Sequence, residues 1–207
     1  ASDPFRRAFY RIEERKARRY EVEVCRAFDR VFLCGQRDVE EIRKQADIRN
    51  LVICPHGQDA PLLQEIRTAQ REPGAVVFCG VMATYTNVDA ALWFASEIFP
   101  KVERAVPGAA FWIVGRDPQR SIQALAQPPR IVVTGEVDNV FQWLSRASVS
   151  VDPLRVGAGM QNKVLQAMAA ELPVVATTVA NEGIGAAPGR EIVLRDDADG
   201  LAAAVID

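Results

Sequence analysis

The order of apolar and polar positions predicts helices and strands in regular alternation along most of the 207-residue chain. A long helix is predicted over residues 3–28, because apolar side chains recur there at steps of three or four residues. Short apolar runs at residues 31–34 and 51–54 indicate strands, and the spaced charges between them predict a second helix over residues 35–46. The first quarter of the chain is therefore a helix followed by a strand–helix–strand unit.

The same alternation begins again at residue 75 and continues to the end of the chain. Strands are predicted at residues 76–79, 110–114, 130–133, 149–151, 174–176 and 192–194. Helices are predicted at residues 87–106, 121–126, 140–147, 160–170 and 198–205. Unbroken alternation of this kind is typical of an α/β domain with a doubly wound parallel sheet. Ligands on such sheets bind at the carboxyl ends of the strands, so residues that directly follow a strand are candidates for a site.

Between these two regions the apolar periodicity is lost. Residues 61–73 are mostly polar with proline at both ends, which favours a linker with some helical content. We therefore divide the chain into residues 1–59, a linker at 60–74, and an α/β domain at 75–207. The total length suffices for one large domain, or for one domain and a piece of another.

A glycine loop before the helix at residues 160–170 suggests an anion site. Gly157 and Gly159 allow close approach of the backbone to a ligand, and the helix start offers free N–H groups and the positive end of the helix dipole. Lys163 falls in the first helical turn, where a cation is unfavourable unless a phosphate lies nearby. Asn162, Lys163 and Gln166 share one polar side of the helix. The alternative interpretation is a tight turn followed by a solvated lysine.

This stretch resembles a motif of the family 4 glycosyltransferases. The segment GAGMQNKVLQAMAAELPVVATTVANEGI is similar to their G-x-G-x-x-x-K-V-L-E-A-M-A-x-G-x-P-V-V-x-T-x-x-x-x-E-G, and FCGVMATYTNVDAALWF resembles a second motif. The resemblance is nearest to bacterial sugar transferases associated with exopolysaccharide and PEP-CTERM systems. It implies the GT-B architecture, in which a Rossmann-like domain binds a nucleotide-sugar donor. Residues 1–59 would then be the last part of the preceding acceptor domain, and the chain would be a fragment.

The resemblance also implies roles for individual residues, with two departures. The family glutamate that binds the ribose hydroxyls is replaced by Gln166, and a second motif glutamate is replaced by Ala158. The family places an arginine and a lysine near the diphosphate on the first strand–helix unit of the donor domain, but residues 76–100 contain neither. Positive charge would have to come from Lys163 and Arg155. The donor-binding residues that we predict are Gly80, Arg116, Gly135, Glu136, Arg155, Gly159, Met160, Gln161, Asn162, Lys163, Gln166 and Glu182.

Composition and charge exclude several other classes. The net charge of −2 and the pI near 5.6 argue against a nucleic-acid-binding domain, which is normally basic. The four cysteines show no metal-ligand spacing and are expected to be buried free thiols in a reducing compartment, with disulfides as the alternative. The single histidine, His56, excludes a site with two histidine ligands. No apolar run approaches the roughly 20 residues of a membrane helix, and the N-terminus does not resemble a signal peptide.

The resemblance implies a retaining, metal-independent transfer of a sugar from a nucleotide diphosphate sugar to a hydroxyl, with no separate cofactor. The expected partners are the nucleotide sugar and a sugar or lipid-linked acceptor. A homodimer and peripheral attachment to the inner face of the membrane are further possibilities for a cytoplasmic protein. Charges at residues 13–19 indicate either a membrane-binding basic patch or, as we favour, a solvated helix face. The alternative function is a non-catalytic nucleotide-binding module that regulates a partner. A Rossmann oxidoreductase is excluded, because no strand is followed by G-x-G-x-x-G and a later acid.

Overall fold

The computed structural model describes residues 4–58, 70–157 and 159–207. The chain divides into two compact units, Ala1–His56 and Gly57–Asp207. Most of the linker predicted at residues 60–74 lies outside the described residues, but its last part is attached to the second unit. The guanidinium of Arg71 donates to the carbonyl oxygens of Ala147 and Glu171, and the N–H of Glu72 donates to the carbonyl oxygen of Arg146. Residues 71 and 72 therefore belong structurally to the α/β domain.

The first unit is built as the sequence predicts. It contains helix α1 (Pro4–Ala27), strand β1 (Val31–Leu33), helix α2 (Gln36–Arg43) and strand β2 (Leu51–Ile53), and the two strands pair in parallel. Its buried cluster is small and consists of Cys25, Val39, Ile42, Ile48 and Leu51. The charged face of α1 forms exposed ion pairs between residues three or four apart, which agrees with a solvated face.

The second unit is an α/β domain with one parallel sheet, as predicted. Its strands are β3 (Ala75–Cys79), β4 (Ala110–Val114), β5 (Ile131–Val133), β6 (Val149–Asp152), β7 (Val174–Ala176) and β8 (Val193–Leu194). Their order in the sheet is β5-β4-β3-β6-β7-β8, and every neighbouring pair is parallel. The chain turns to the opposite side of β3 between β5 and β6, which makes the edge between β3 and β6 the topological switch point.

The helices of this unit are α3 (Tyr85–Trp93), α4 (Phe99–Ala105), α5 (Arg120–Gln123), α6 (Phe141–Leu144), α7 (Asn162–Ala169), α8 (Thr178–Asn181) and α9 (Ala198–Ile206). The predicted helix over residues 87–106 is interrupted by a π-helical turn at Phe94–Ile98. Pro100 explains this, because it lacks an N–H and its ring crowds the carbonyl group four residues earlier. The short helix α8 is not predicted from the sequence.

Aromatic side chains form the centre of the core. Phe94, Phe99 and Phe111 are fully buried, with the rings of Phe94 and Phe111 4.6 Å apart. On the β4 side, Trp112 meets Trp143 edge to face at 5.4 Å, and the guanidinium of Arg146 lies within 6 Å of both rings. These contacts fix the strands on which the site is built.

The cysteines are free, as expected, but they are not all buried. Cys25 and Cys79 are buried, Cys34 is half-buried and Cys54 is exposed. The prediction of four buried thiols is therefore wrong for Cys34 and Cys54, because both lie just after the short strands β1 and β2 and not within them. In the part of the chain that the structure describes, no helix is both long and apolar enough to cross a membrane.

Candidate functional site

Three loops meet side by side at the carboxyl edge of the sheet. The N–H of Gly80, after β3, donates to Val114 at 3.0 Å, and the N–H of Gly115, after β4, donates to Gly135 at 3.2 Å. A side chain at Gly115 would collide with the carbonyl oxygen of Gly80, so the loops can lie this close only with glycine there. The structure thus brings together residues that directly follow three strands, which are the positions named as candidates from the sequence.

A cavity of about 490 Å³ opens above these loops. Its volume falls in the range of small-molecule sites, roughly 300–1,000 Å³. The lining comes from three loops and from the start of α7, and consists of Cys79, Gly80, Val81, Val114, Gly115, Arg116, Glu136, Val137, Val140, Gln161, Asn162, Lys163 and Gln166. The cavity thus brings together seven of the twelve residues predicted from the sequence.

Lys163 is held inside this cavity by three oxygen atoms. Its ammonium group donates to the side-chain oxygens of Asn87 at 3.0 Å and Gln161 at 2.9 Å, and lies 3.4 Å from a carboxylate oxygen of Asp152. The ammonium also lies 5.5 Å from the centre of the Phe78 ring. Only 12% of the side chain is exposed, so Lys163 is not the solvated lysine of the alternative interpretation.

Asp152 is the main residue that sequence reasoning missed. It ends the buried strand β6 and is itself 1% exposed. Burial raises the pKa of its carboxyl group to about 6, against the opposing attraction of the Lys163 ammonium. A carboxylate at the end of an otherwise apolar strand in a parallel sheet is the signal that could have identified it. The same burial raises the pKa of the Cys79 thiol to about 12, so this thiol stays protonated.

Asn87 was also missed as a site residue, although it lies in the second motif. It sits in the first turn of α3, is buried, and donates to the carbonyl oxygen of Val81 while it accepts from Lys163. An amide that both donates and accepts in this way fixes the distance between α3 and α7 at the cavity.

Arg155 is directed away from the cavity lining. Its guanidinium donates to Asp89 on α3 at 2.9 Å and lies 5.1 Å from the ring of Trp93. The hydrogen bond to Asp89 raises the pKa of the guanidinium. The half-buried Trp93 therefore packs against a protein cation, and its neighbour Phe94 is part of the core. The role of Arg155 at a diphosphate remains a prediction.

Four other predicted residues do not line the cavity: Gly135, Gly159, Met160 and Glu182. Gly135 contributes the carbonyl oxygen that accepts from Gly115. Glu182 is exposed at the end of α8, and the next residue, Gly183, packs so closely on Gly159 that a side chain would clash with its backbone. Ala158, the position of the second missing glutamate, lies outside the described residues.

The helix start differs slightly from the prediction. Helix α7 begins at Asn162, so Met160 and Gln161 precede it. The Gln161 side chain does not cap the helix, but its carbonyl oxygen accepts from the N–H of Val164 at 2.9 Å. Asn162 and Gln166 both line the cavity, as their spacing predicts. The described residues contain no group of three or more histidine, cysteine or acidic side chains that could hold a metal ion.

A model of the family described as glycosyl transferases group 1 matches residues 73–207. An uncharacterised 44.6 kDa protein in the cps region of Klebsiella pneumoniae is 25% identical over an alignment of 130 residues that covers 59% of this chain and 34% of that protein. The chain thus spans about a third of the length of this curated relative.

Two solved structures share the fold. The structure of TarM, from S. aureus, matches with a TM-score of 0.71 at 16% identity. The matched region covers 92% of this chain and 39% of the TarM chain. Anabaena HepE in complex with UDP and glucose matches with a TM-score of 0.68 at 15% identity. The matched region covers 91% of this chain and 55% of the HepE chain. At this identity the likeness concerns the fold alone.

Proposed function

Because this chain belongs to the group 1 glycosyltransferase family, we propose that its cavity binds the nucleoside diphosphate of a nucleotide-sugar donor. The observation that carries the proposal is Lys163, whose ammonium lies in the cavity at the first turn of α7. The N–H groups of that turn and the ammonium are both suited to a diphosphate. The whole protein would transfer the sugar to a hydroxyl acceptor in polysaccharide or glycoconjugate synthesis.

The lining suggests how such a donor would be oriented. Lys163 and the helix start would bind the diphosphate, and Gln166, one turn further along α7, would bind the ribose hydroxyls. The loop at Glu136 and Val137 would contact the base, and the aliphatic side chain of Val140 would cover it. Arg155 is paired with Asp89. In the described part of the chain, the cationic side chains that line the cavity and could bind phosphate are therefore Lys163 and Arg116.

In this proposal the reaction is retaining, proceeds without a metal and needs no separate cofactor. The leaving diphosphate gains negative charge as the bond to the sugar breaks. The Lys163 ammonium and the N–H groups at the start of α7 would stabilise that charge in place of a metal. We place the reaction in the cytoplasm, at the inner face of the membrane if the acceptor is lipid-linked. HepE, which has the same fold, was solved with UDP and glucose, and this also favours a nucleotide-sugar ligand here.

The first test is a calorimetric titration with UDP, GDP and ADP of the parent and of Lys163→Ala. The substitution should weaken diphosphate binding by roughly 1.5–3 kcal/mol, the scale of a hydrogen bond to a charged group. Binding of the bare nucleosides should hardly change. Lys101→Ala is the matched control, because Lys101 pairs with Asp199 outside the cavity. Equal binding of both ligand types by parent and mutant would contradict the proposal.

Removal of Lys163 also leaves the buried Asp152 without its cation, which is destabilising in itself. The double variant Lys163→Ala with Asp152→Asn removes this complication, since the amide carries no charge. Circular dichroism should show native secondary structure for both variants. If the folded double variant binds the diphosphate more weakly, the loss of the ammonium is the cause, and unfolding is not.

The alternative function is a non-catalytic nucleotide-binding module, and Gln166 is the observation that favours it. A glutamine binds ribose hydroxyls more weakly than the carboxylate that the family has at this position. Tight nucleotide binding by the full-length protein without sugar transfer would support the alternative. Gln166→Glu should tighten binding in either case, so transfer activity in the full-length protein decides between the two.

A further inference from the structure

The buried carboxylate under Lys163 has a property that the proposed donor site does not explain. Both oxygens of Asp152 are inaccessible to solvent, and the described residues donate no well-aligned hydrogen bond to them. The Lys163 ammonium lies 3.4 Å from one of these oxygens as an ion pair. Its backbone is fixed, because its carbonyl oxygen accepts from the N–H of Thr177 at the end of β7. A buried carboxylate normally accepts several hydrogen bonds, and without them its charged form is costly.

Lys163 is the charged group that acts on this carboxylate. The other elements packed around Asp152 contribute Cys79 from β3, whose thiol is protonated, and the uncharged Thr177 after β7. Asn87 from α3 and Gln161 are uncharged acceptors of the same ammonium. The ionised pair of Lys163 and Asp152 therefore has no net charge, and the attraction of the ammonium for an incoming anion is weakened.

We propose that Asp152 is a positioning residue for Lys163 and takes up a proton when a diphosphate binds the ammonium. The inference rests on the proposed function, since it assumes that the anion in the cavity is the diphosphate of a nucleotide sugar. The step is an acid–base equilibrium in which the carboxylate and a proton from solvent form the neutral carboxylic acid. Lys163 stays charged and becomes available to the phosphates with its full charge.

The direction of the effect follows from electrostatics. A second anion beside Lys163 repels the Asp152 carboxylate and draws the ammonium toward itself, so the charged form of Asp152 becomes less favourable. Its pKa, already about 6 in the free protein, rises further in the complex. The diphosphate consequently binds most tightly at a pH where Asp152 is already protonated, and its affinity falls as the pH rises above 6.

The experiment is a titration with UDP-glucose, GDP-mannose and ADP-glucose at several pH values between 5.5 and 8. Both phosphates of these ligands are esterified or bridging, so they lack the second ionisation of a phosphate monoester near pH 6. If the anion raises the pKa of Asp152 by about one unit, affinity should be about five- to tenfold higher at pH 5.5 than at pH 8. Calorimetry at pH 6.5 in PIPES and in imidazole should show uptake of roughly half a proton.

Two variants separate this role from a structural one. Asp152→Asn should bind without proton uptake and with an affinity that does not change with pH, because the amide cannot titrate. Asp138→Asn is the matched control, since it removes an exposed carboxylate next to the cavity-lining Val137 and should keep the parent's pH dependence. Binding that is independent of pH in the parent, or proton uptake that persists in Asp152→Asn, would overturn the inference.

A second measurement needs no ligand. The carboxyl carbon of Asp152 should titrate by NMR with a midpoint near pH 6 in the parent, and at higher pH in Lys163→Gln, where the attraction of the ammonium is lost. An unchanged midpoint would contradict the inference that the Lys163 ammonium acts on the Asp152 carboxylate. Absence of binding for all three nucleotide sugars would instead overturn the proposed function, while the carboxyl titration would still decide whether Asp152 responds to Lys163.

Discussion

The two units of the chain are built from the same elements and differ in how much they bury. Each contains parallel strands joined by helices, and the described residues form two strands in Ala1–His56 and six in Gly57–Asp207. In the larger unit every residue of β3 is buried, because helices cover both faces of the sheet. In the smaller unit the middle residue of β1, Phe32, is 63% exposed.

The same contrast holds for the helices. Along α1 the large apolar side chains remain mostly exposed, with Phe5 at 86% and Phe9 at 59%. The apolar residues that recur at steps of three or four predict the helix itself, but most of them remain exposed, and Cys25 is the only buried residue of α1. An amphipathic pattern thus predicts that a helix forms, but it does not show whether the apolar face of that helix is covered.

The largest expected difference concerns a matched pair of phenylalanines. Phe111→Ala should destabilise the larger unit by about 3–5 kcal/mol, because it leaves a cavity beside Phe94 and Phe99. Phe9→Ala should cost less than about 0.5 kcal/mol, since it removes an exposed side chain. Urea unfolding followed by circular dichroism, with hydrogen exchange to assign the unit, measures both. A large cost for Phe9→Ala would mean that the stripe on α1 is covered in solution.

A second effect, in the larger unit alone, depends on pH. The pKa of Asp152 is raised from 3.8 to about 6, so the folded state binds this proton more tightly than the unfolded state. The contribution of Asp152 to stability should be fully present below about pH 4 and be lost as the pH rises through about 6, by up to about 3 kcal/mol. The difference in unfolding free energy between the parent and Asp152→Asn isolates this contribution. A difference that stays constant from pH 4 to 7 would contradict it.

A third test asks what holds α1 in place. The side chain of Asn50 donates to the carbonyl oxygens of Cys25 and Phe28 at 2.8 and 2.6 Å and so fixes the end of the helix. Asn50→Ala should lower the free energy of opening of α1, measured by hydrogen exchange, by about 1 kcal/mol, since both carbonyl groups lose a donor. Asn139→Ala, which removes an acceptor of the Phe141 N–H in the other unit, is the control and should leave α1 unchanged.

The smallest effect is expected from the charges along α1. Glu14 and Arg18 are four residues apart and about half exposed, and such pairs contribute about 0.3–0.5 kcal/mol. Glu14→Gln should therefore change the protection of α1 by no more than a few tenths of a kcal/mol, and 1 M salt should abolish the difference. A cost above about 1 kcal/mol would show that this face contacts more than solvent.

The sequence predicts most of the elements because their periodicities are local. The strands around Val77 and Ile113 are continuous apolar runs, and their boundaries agree with the structure to within one residue. The π-helical turn at Phe94–Ile98 was missed although its cause, Pro100, is local in the sequence. Helix α8 was missed because it depends on hydrogen bonds that tertiary packing selects. Helix α8, for example, is capped by the side chain of Thr177, which also donates to Leu154 in another loop.

For the candidate site, the sequence predicts which loops meet but not which side chains pair. Lys163 and Gln166 were predicted from spacing within one helix, and both line the cavity. The partner of Lys163 was not, because Asp152 lies on a different element and its burial depends on the whole sheet. Arg155 was predicted from its nearness to the glycine loop in sequence, which gave no sign of its ion pair with Asp89.

The placement of the indole rings gives the chain an internal optical label. All three tryptophans, Trp93, Trp112 and Trp143, lie in the larger unit, and the smaller unit has none. Emission excited at 295 nm therefore reports on the larger unit alone. Trp112 and Trp143 share the Arg146 cation, and Trp93 lies against Arg155 beside α3. A shift in the Trp93 emission would be the first spectroscopic sign that the ion pair between Arg155 and Asp89 has broken.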